Sequence, residues 1–309
     1  MFFLLACTPR SVDTGAPAGD SATGSPKDTA LPADVAFRFV VIADSHVTSE
    51  PSDNLDRLNR AVAWVNQHAE DDDLRLVLVV GDIGWGDGLA PAYDSLSALT
   101  VPWVPINGDN EVQLGSEEAY DLTFRPQYEV LAGQLEDWAM VETPVEDPEV
   151  GATAWYHEVA FTYGGMRFIG LDWASRTINE VLGEFGELHD FEGGTWPFFV
   201  EELAAYATGP EENIVLFSHI PMHFPMFDLD ELEKMGATTL PVGDHIWADL
   251  AGHYHGSASE TEKELGFDLH VTDATWDDLV EVRVVEVRAD DRRFAPVTWT
   301  VDVDADPAP

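Results

Sequence analysis

Apolar residues along this chain fall into short runs and spaced stripes, and each pattern predicts an element. Phe37-Arg38-Phe39-Val40-Val41-Ile42-Ala43-Asp44 is a short apolar run that reads as a buried strand. Leu55, Leu58, Ala61, Val62 and Val65 then recur at helical spacing with polar residues between them. Leu76 to Val80 is a second buried strand that stops at Gly81-Asp82. A short helix is expected from Pro91 to Leu99, with Pro in its first turn, and Val101 to Ile106 is a third strand. This alternation predicts a parallel βαβαβ opening. From Glu111 to Pro148 no pattern dominates. Beyond it, Trp155 to Tyr163 and Met166 to Leu171 predict a hairpin turning at Gly164-Gly165, Pro197 to Tyr206 a helix, and Asn213 to Phe217 another buried strand. Leu279 to Val287 and Pro296 to Val303 alternate as antiparallel strands do.

The first 36 residues follow none of these patterns. Phe2-Phe3-Leu4-Leu5-Ala6-Cys7 resembles the end of a bacterial lipoprotein signal, in which apolar residues and a small residue precede the lipidated cysteine; the positive n-region of such signals is not present. The following stretch is rich in Thr, Ser, Gly, Pro, Ala and Asp, the composition of a solvated tether. The resemblance implies a lipid anchor at Cys7 and an extracytoplasmic protein held on the bacterial envelope, at the outer membrane or cell surface. The expected organisation is a signal remnant (1–7), a tether (8–36) and one folded domain (37–305).

Composition narrows the partners. Acidic residues number 58 against 15 basic ones, a formal net charge of -43. Such a surface repels nucleic acid and anionic headgroups, so no nucleic-acid partner is expected and the only membrane contact expected is the anchor. A phosphate-bearing ligand must be drawn in by something locally positive, and with so few Lys and Arg a bound metal is the natural source. No run of ~18 apolar residues offers a membrane span. Cys7 is the sole cysteine, which excludes disulfides and thiolate metal sites from the folded part.

The candidate chemistry lies where the predicted strands stop. The clusters are Asp44-Ser45-His46, Gly81-Asp82, Gly108-Asp109-Asn110-Glu111, Ser218-His219 and Gly252-His253-Tyr254-His255. Ligand sites in open α/β sheets form outside the carboxyl ends of strands, so five distant clusters can meet there. Imidazoles and carboxylates suit Zn²⁺, Mn²⁺, Fe or Co. This ordered set resembles the calcineurin-like metallophosphoesterase superfamily, whose pattern is Asp-x-His, Gly-Asp, Gly-Asn-His-Asp/Glu, a His, then Gly-His-x-His. The match covers about residues 37 to 256.

The resemblance implies an α/β fold, a four-layer αββα sandwich, with a dinuclear centre of Mn, Zn or Fe ions, divalent or mixed-valence. Carried over by position, Asp44, His46, Asp82 and His255 would hold one ion, and Asp82, Asp109, His219 and His253 the other, with Asp82 shared. The implied reaction is hydrolysis of a small phosphoester by a hydroxide generated between the ions.

Two positions depart from the family pattern. Asp109 stands where Asn is usual, which leaves the site about one unit less positive and favours singly charged phosphodiesters over phosphomonoesters such as nucleotides. Asn110 stands where His is usual, and an amide cannot supply a proton to a leaving group. His223, four residues after His219, is the candidate substitute. Glu111 is expected to be ionised. A contrasting reading is a binding module that keeps the metals without turnover. Trp85, Trp173 and Asp172 are candidates for the pocket's edge, with packing or capping as the structural alternative, while His157, His189, His245 and His270 have no motif context.

Overall fold

The computed structural model describes residues 35–49, 52–113, 115–176, 185–276, 279–289 and 297–305. Cys7 and nearly all of the expected tether therefore lie outside the described residues. Val35 and Ala36, assigned to the tether, instead open the first strand, because Val35 pairs with Arg288 of a late strand.

In chain order the elements are β1 (Val35–Ile42), α1 (Asn54–His68), β2 (Leu74–Val80), α2 (Leu89–Leu96), β3 (Trp103–Ile106), α3 (Asp109–Gln113), α4 (Glu117–Ala132), β4 (Glu136–Met140), β5 (Val145–Asp147), β6 (Ala152–Ala154), β7 (Val159–Tyr163), β8 (Met166–Leu171), α5 (Thr195–Tyr206), β9 (Ile214–Ser218), α6 (Leu229–Thr239), β10 (Ile246–Ala251), β11 (Ala258–Glu262), β12 (Phe267–Val271), β13 (Glu281–Arg288) and β14 (Val297–Asp302). They build a four-layer αββα sandwich. One sheet has the order β14-β13-β1-β2-β3 and the other β11-β12-β10-β9-β8-β7-β4. β1, β2 and β3 run parallel, as do β8, β9, β10 and β12, while hairpin partners at the edges run antiparallel.

The main core lies between the sheets. Phe39 of β1 meets Phe168 of β8 edge to face at 5.4 Å, and Phe168 stacks on Phe161 of β7 at 5.0 Å. α1 contributes Leu58, Ala61, Val62 and Val65, the stripe its spacing predicts. A second apolar cluster packs α5 and α6, through Phe199, Leu203, Leu232 and Met235, on the other face of the second sheet. Both sheets thus send their parallel strands in a common direction, and their carboxyl ends open on one edge of the sandwich.

The unpatterned middle contains α4, whose buried residues Tyr120, Phe124, Tyr128 and Leu131 lie at helical spacing with Pro126 on the exposed side. α6 starts at a capping box of Asp228 and Glu231. The strand expected from Trp155 begins only at Val159, because the preceding residues feed a side layer in which Tyr156 is buried against His189.

Candidate metal centre

Five loops leave β1, β2, β3, β9 and β10 and meet. The first two are laced together: His46 N–H donates to Asp82 O at 2.8 Å and Val47 N–H to Ile83 O at 3.0 Å. The backbone is left-handed at Asp44, His46, Asp82, His253 and His255, with φ between 48° and 72°. Non-glycine residues seldom adopt this conformation, and it concentrates where function over-determines the backbone. Glycine is needed where backbone passes close to the carboxylates. A Cβ on Gly108 would lie 2.2 Å from Asp82 Oδ1, and one on Gly252 would lie 2.5 Å from Asp44 Oδ2.

The seven residues singled out in the sequence come together as two adjoining groups. Asp44, His46 and His255 form one; Asp109, His219 and His253 form the other; Asp44, Asp82 and His219 bridge them. In each group the offered ligand atoms lie within 4.8 Å of one another. Asp82 faces both ways: Oδ2 is 3.2 Å from His46 Nε2, and Oδ1 is 3.4 Å from His219 Nε2. His255 Nε2 lies 3.3 Å from Asp44 Oδ1. Asp109 Oδ1 lies 2.8 Å from His219 Nε2 and 3.1 Å from His253 Nδ1.

These groups charge one another. Burial opposes ionisation of Asp44, but His219, His255 and His46 outweigh it and hold the carboxyl well below its usual range. The same opposition resolves the same way at Asp109, where His219 and His253 prevail. Burial would lower His46, yet Asp44 and Asp82 raise it to about 9. His219 is likewise raised against burial by Asp82, Asp44 and Asp109.

The donor set fits bound cations. His219 Nδ1 sits 3.0 Å from Val80 O, a group that only accepts, so Nδ1 carries the proton and Nε2 is left as the ligand atom. In the neutral ring, Nε2 and Asp109 Oδ1 are then two acceptors 2.8 Å apart, which demands a positive charge between them. Asp44 Oδ1 and His46 Nε2 are buried without a hydrogen bond. Oxygen and imidazole donors without sulfur suit Mn, Zn or Fe.

The neighbouring residues divide by role. Asn110 donates from its backbone N to Asp82 Oδ1 at 3.0 Å and from its amide to Asp82 Oδ2, so it holds Asp82. Glu111 corrects an expectation. Burial, then Asp82, pushes its pKa up to about 8, while its oxygens accept N–H groups of Asp82, Gly84 and Gly108 at 3.0, 2.8 and 2.6 Å. His223 lies to one side, with Nε2 2.7 Å from Tyr254 Oη and Nδ1 3.5 Å from Glu260. Burial lowers the His223 pKa. Asp172 is buried and tied to Asn107 of the third loop at 2.9 Å and to Arg176.

Trp173 is core, edge-on to Phe199 and Phe227, whereas Trp85 packs against His46. Trp276 also covers His46 and carried no signal in the sequence. His157 and His189 are buried in polar pairings with Asp121 and Tyr156, and His245 and His270 meet Pro210 and Ser259.

A family model described as calcineurin-like phosphoesterase matches residues 37–272. Among solved structures, the fold is similar to a dimetal phosphatase from Danio rerio, at 17% identity and a TM-score of 0.52 over 86% of this chain and 99% of that one. It is also similar to a Staphylococcus aureus protein assigned provisionally as a 5′-nucleotidase, at 15% identity and a TM-score of 0.52 over 86% of this chain and 54% of that one. Likeness at these identities speaks for the fold alone. No curated protein matches the sequence.

Proposed function

The chain belongs to the calcineurin-like phosphoesterase family, hydrolases of phosphoester bonds, and from that premise we propose that its preferred substrates are phosphodiesters. The observation that carries the preference is Asp109. Its carboxylate is aimed among His219 and His253 where the family pattern has an amide, so three carboxylates share the centre. Set against two divalent ions, three carboxylates leave about one positive charge, by charge counting. That suits a phosphodiester's single negative charge better than a monoester's two.

In this reading Asp44, His46, Asp82 and His255 would hold one ion and Asp82, Asp109, His219 and His253 the other. Bound there, the ions would supply Lewis acidity toward the phosphoryl group and lower the pKa of water. The chain's own residues do the rest. Asn110 holds both oxygens of Asp82, keeping Oδ2 toward His46 and Oδ1 toward His219. Glu111 ties the second and third loops through backbone N–H groups. The Val80 carbonyl fixes the His219 tautomer.

Asn110 has no proton to give, and His223 is the proposed donor to the leaving oxygen. Its lowered pKa confines the imidazolium to the acid side, so its contribution fades as pH rises through a value below 6.5. The His223→Ala variant should lose about 10²-fold in kcat with alkyl leaving groups, mostly at acid pH, and little with p-nitrophenolate.

The deciding experiment loads the protein with Mn²⁺ or Zn²⁺ and compares a chromogenic phosphodiester with its monoester, using chelated protein and Asp82→Ala as controls. Metal-dependent turnover with the diester ahead supports the reading. A monoester preference would replace it with a phosphomonoesterase or nucleotidase. Two bound metals without turnover of either ester would replace it with a binding module.

Lipidation of Cys7, with an extracytoplasmic location on the envelope, is proposed on the sequence alone. Metabolic labelling with a fatty acid tests it, and a Cys7→Ser variant that takes up as much label would refute it.

A further inference from the structure

We propose that Trp85 and Trp276 wall a subsite beside the His46 half of the metal centre, which takes a planar aromatic ester group of the substrate, whether a nucleobase-bearing or an aryl-bearing alcohol. The proposal rests on the phosphoester reading of the same site.

Each indole is placed by the loops that carry the ligands. Trp85 follows Asp82 by three residues, donates its backbone N–H to Val47 O at 3.3 Å, and stands edge-on to the His46 ring at 5.3 Å and 75°. Trp276 ends a segment docked on the first loop. Ala274 bridges Ala43, Thr275 N–H donates to Ala43 O at 3.1 Å, and Thr275 Oγ1 donates to Ser45 Oγ at 3.2 Å. From there the indole lies over His46 at 5.2 Å and 30° and stands edge-on to His255 at 5.3 Å and 88°.

One observation separates this wall from core packing. Core tryptophans here are sealed, as Trp173 is at 1% exposure, whereas Trp85 and Trp276 both keep part of their surface in solvent at a polar centre.

The charge balance supplies the reason for such a wall. A chain of net charge -43 repels an anion at long range, so an anionic ester gains affinity most readily through its uncharged part. Stacking on indole provides it, because every aromatic ring has a face to offer.

The test uses the metal-loaded protein and two methyl phosphodiesters of equal size and similar leaving-group basicity, benzyl and cyclohexylmethyl, with a methyl nucleoside 5′-phosphodiester as a third arm. Binding of the matching benzyl and cyclohexylmethyl phosphonates is followed separately by tryptophan fluorescence. The benzyl ester should lead its saturated partner in kcat/KM, and the benzylphosphonate should bind more tightly, each by about ten-fold, the scale of one stacked ring. Both ratios should fall toward one in Trp85→Leu and Trp276→Leu, and Trp276→Phe should restore them. Circular dichroism and metal content would confirm that each variant is folded and loaded. If the nucleoside ester outruns the benzyl ester, the planar group is a base; if it trails, an aryl alcohol.

Equal ratios in the parent protein, or ratios unmoved in both Leu variants, overturn the subsite. Absence of all turnover with preferential binding of the benzylphosphonate would overturn the phosphoesterase reading and leave the aromatic subsite standing.

Discussion

The two halves of the centre share imidazole and carboxylate chemistry but stand differently in the fold. In the half built on Asp44, His46 and His255, the ligand atoms Asp44 Oδ1 and His46 Nε2 are buried without hydrogen bonds, and indoles press on the rings. In the half built on Asp109, His219 and His253, a single oxygen of Asp109 is within hydrogen-bond distance of both imidazoles. In the first half the ligands are positioned by ring packing and by a left-handed backbone at all three residues. Each half also holds a proton that a cation has to displace, on His46 in the first and on His219 in the second, so the affinity of both is linked to pH. Preorganisation by packing and preorganisation by mutual hydrogen bonding thus serve the same end.

The largest effect is expected where the halves meet. Asp82→Ala removes the carboxylate whose two oxygens face one half each, and turnover should drop by about 10³-fold or more, the scale of losing a principal electrostatic stabiliser. Elemental analysis should show both metals depleted; one metal retained at full occupancy would mean that Asp82 is not shared.

Next come variants aimed at one half each. Gly252→Ala drives a Cβ to within 2.5 Å of Asp44 Oδ2 and should weaken the first ion by about 10- to 100-fold. Asp109→Asn removes the carboxylate between His219 and His253 and should weaken the second ion by a similar factor, while flattening its pH dependence. Stepwise metal titrations at two pH values distinguish them. Equal weakening of both ions by either variant would show that the halves act as one unit.

The smallest effect is in stability. His46, raised to about 9, and His219, also raised, stabilise the chelated protein fully below the unfolded value near 6.5, and that contribution is lost as pH rises through the folded values. Asp44 and Asp109, held low, stabilise it above the unfolded carboxylate value and cease to do so in acid. Thermal melts of chelated protein should therefore fall by a few degrees between about pH 6.5 and 9, and the increment from added Mn²⁺ should grow over the same range. A melting temperature that rose with pH in chelator would contradict this balance of charges.

Much of this was legible in one dimension because the ligands sit in short loops directly after buried strands. A strand shows as an apolar run, its end as a Gly or Asp, and the ligand type as the next polar residue. α1 was equally open, since its stripe faces one core. α4 was obscured although its buried residues recur at helical spacing, because charged residues and Pro126 on the exposed side break the pattern. β11 and β12 were missed because β11 is mostly exposed and carries no apolar alternation.

The sequence by itself determined the family, the α/β alternation and the identity of the seven residues that converge, because those depend on local runs and on residue chemistry. Only the tertiary structure decided what those residues face. It turned Asp82 toward both halves and committed Asn110 to holding it. It raised the Glu111 pKa by burying it, and it brought Trp276 across 230 residues of chain onto His46. Distances, burial and shared protons are properties of segments far apart in the chain, and no local pattern encodes them until the two sheets have packed.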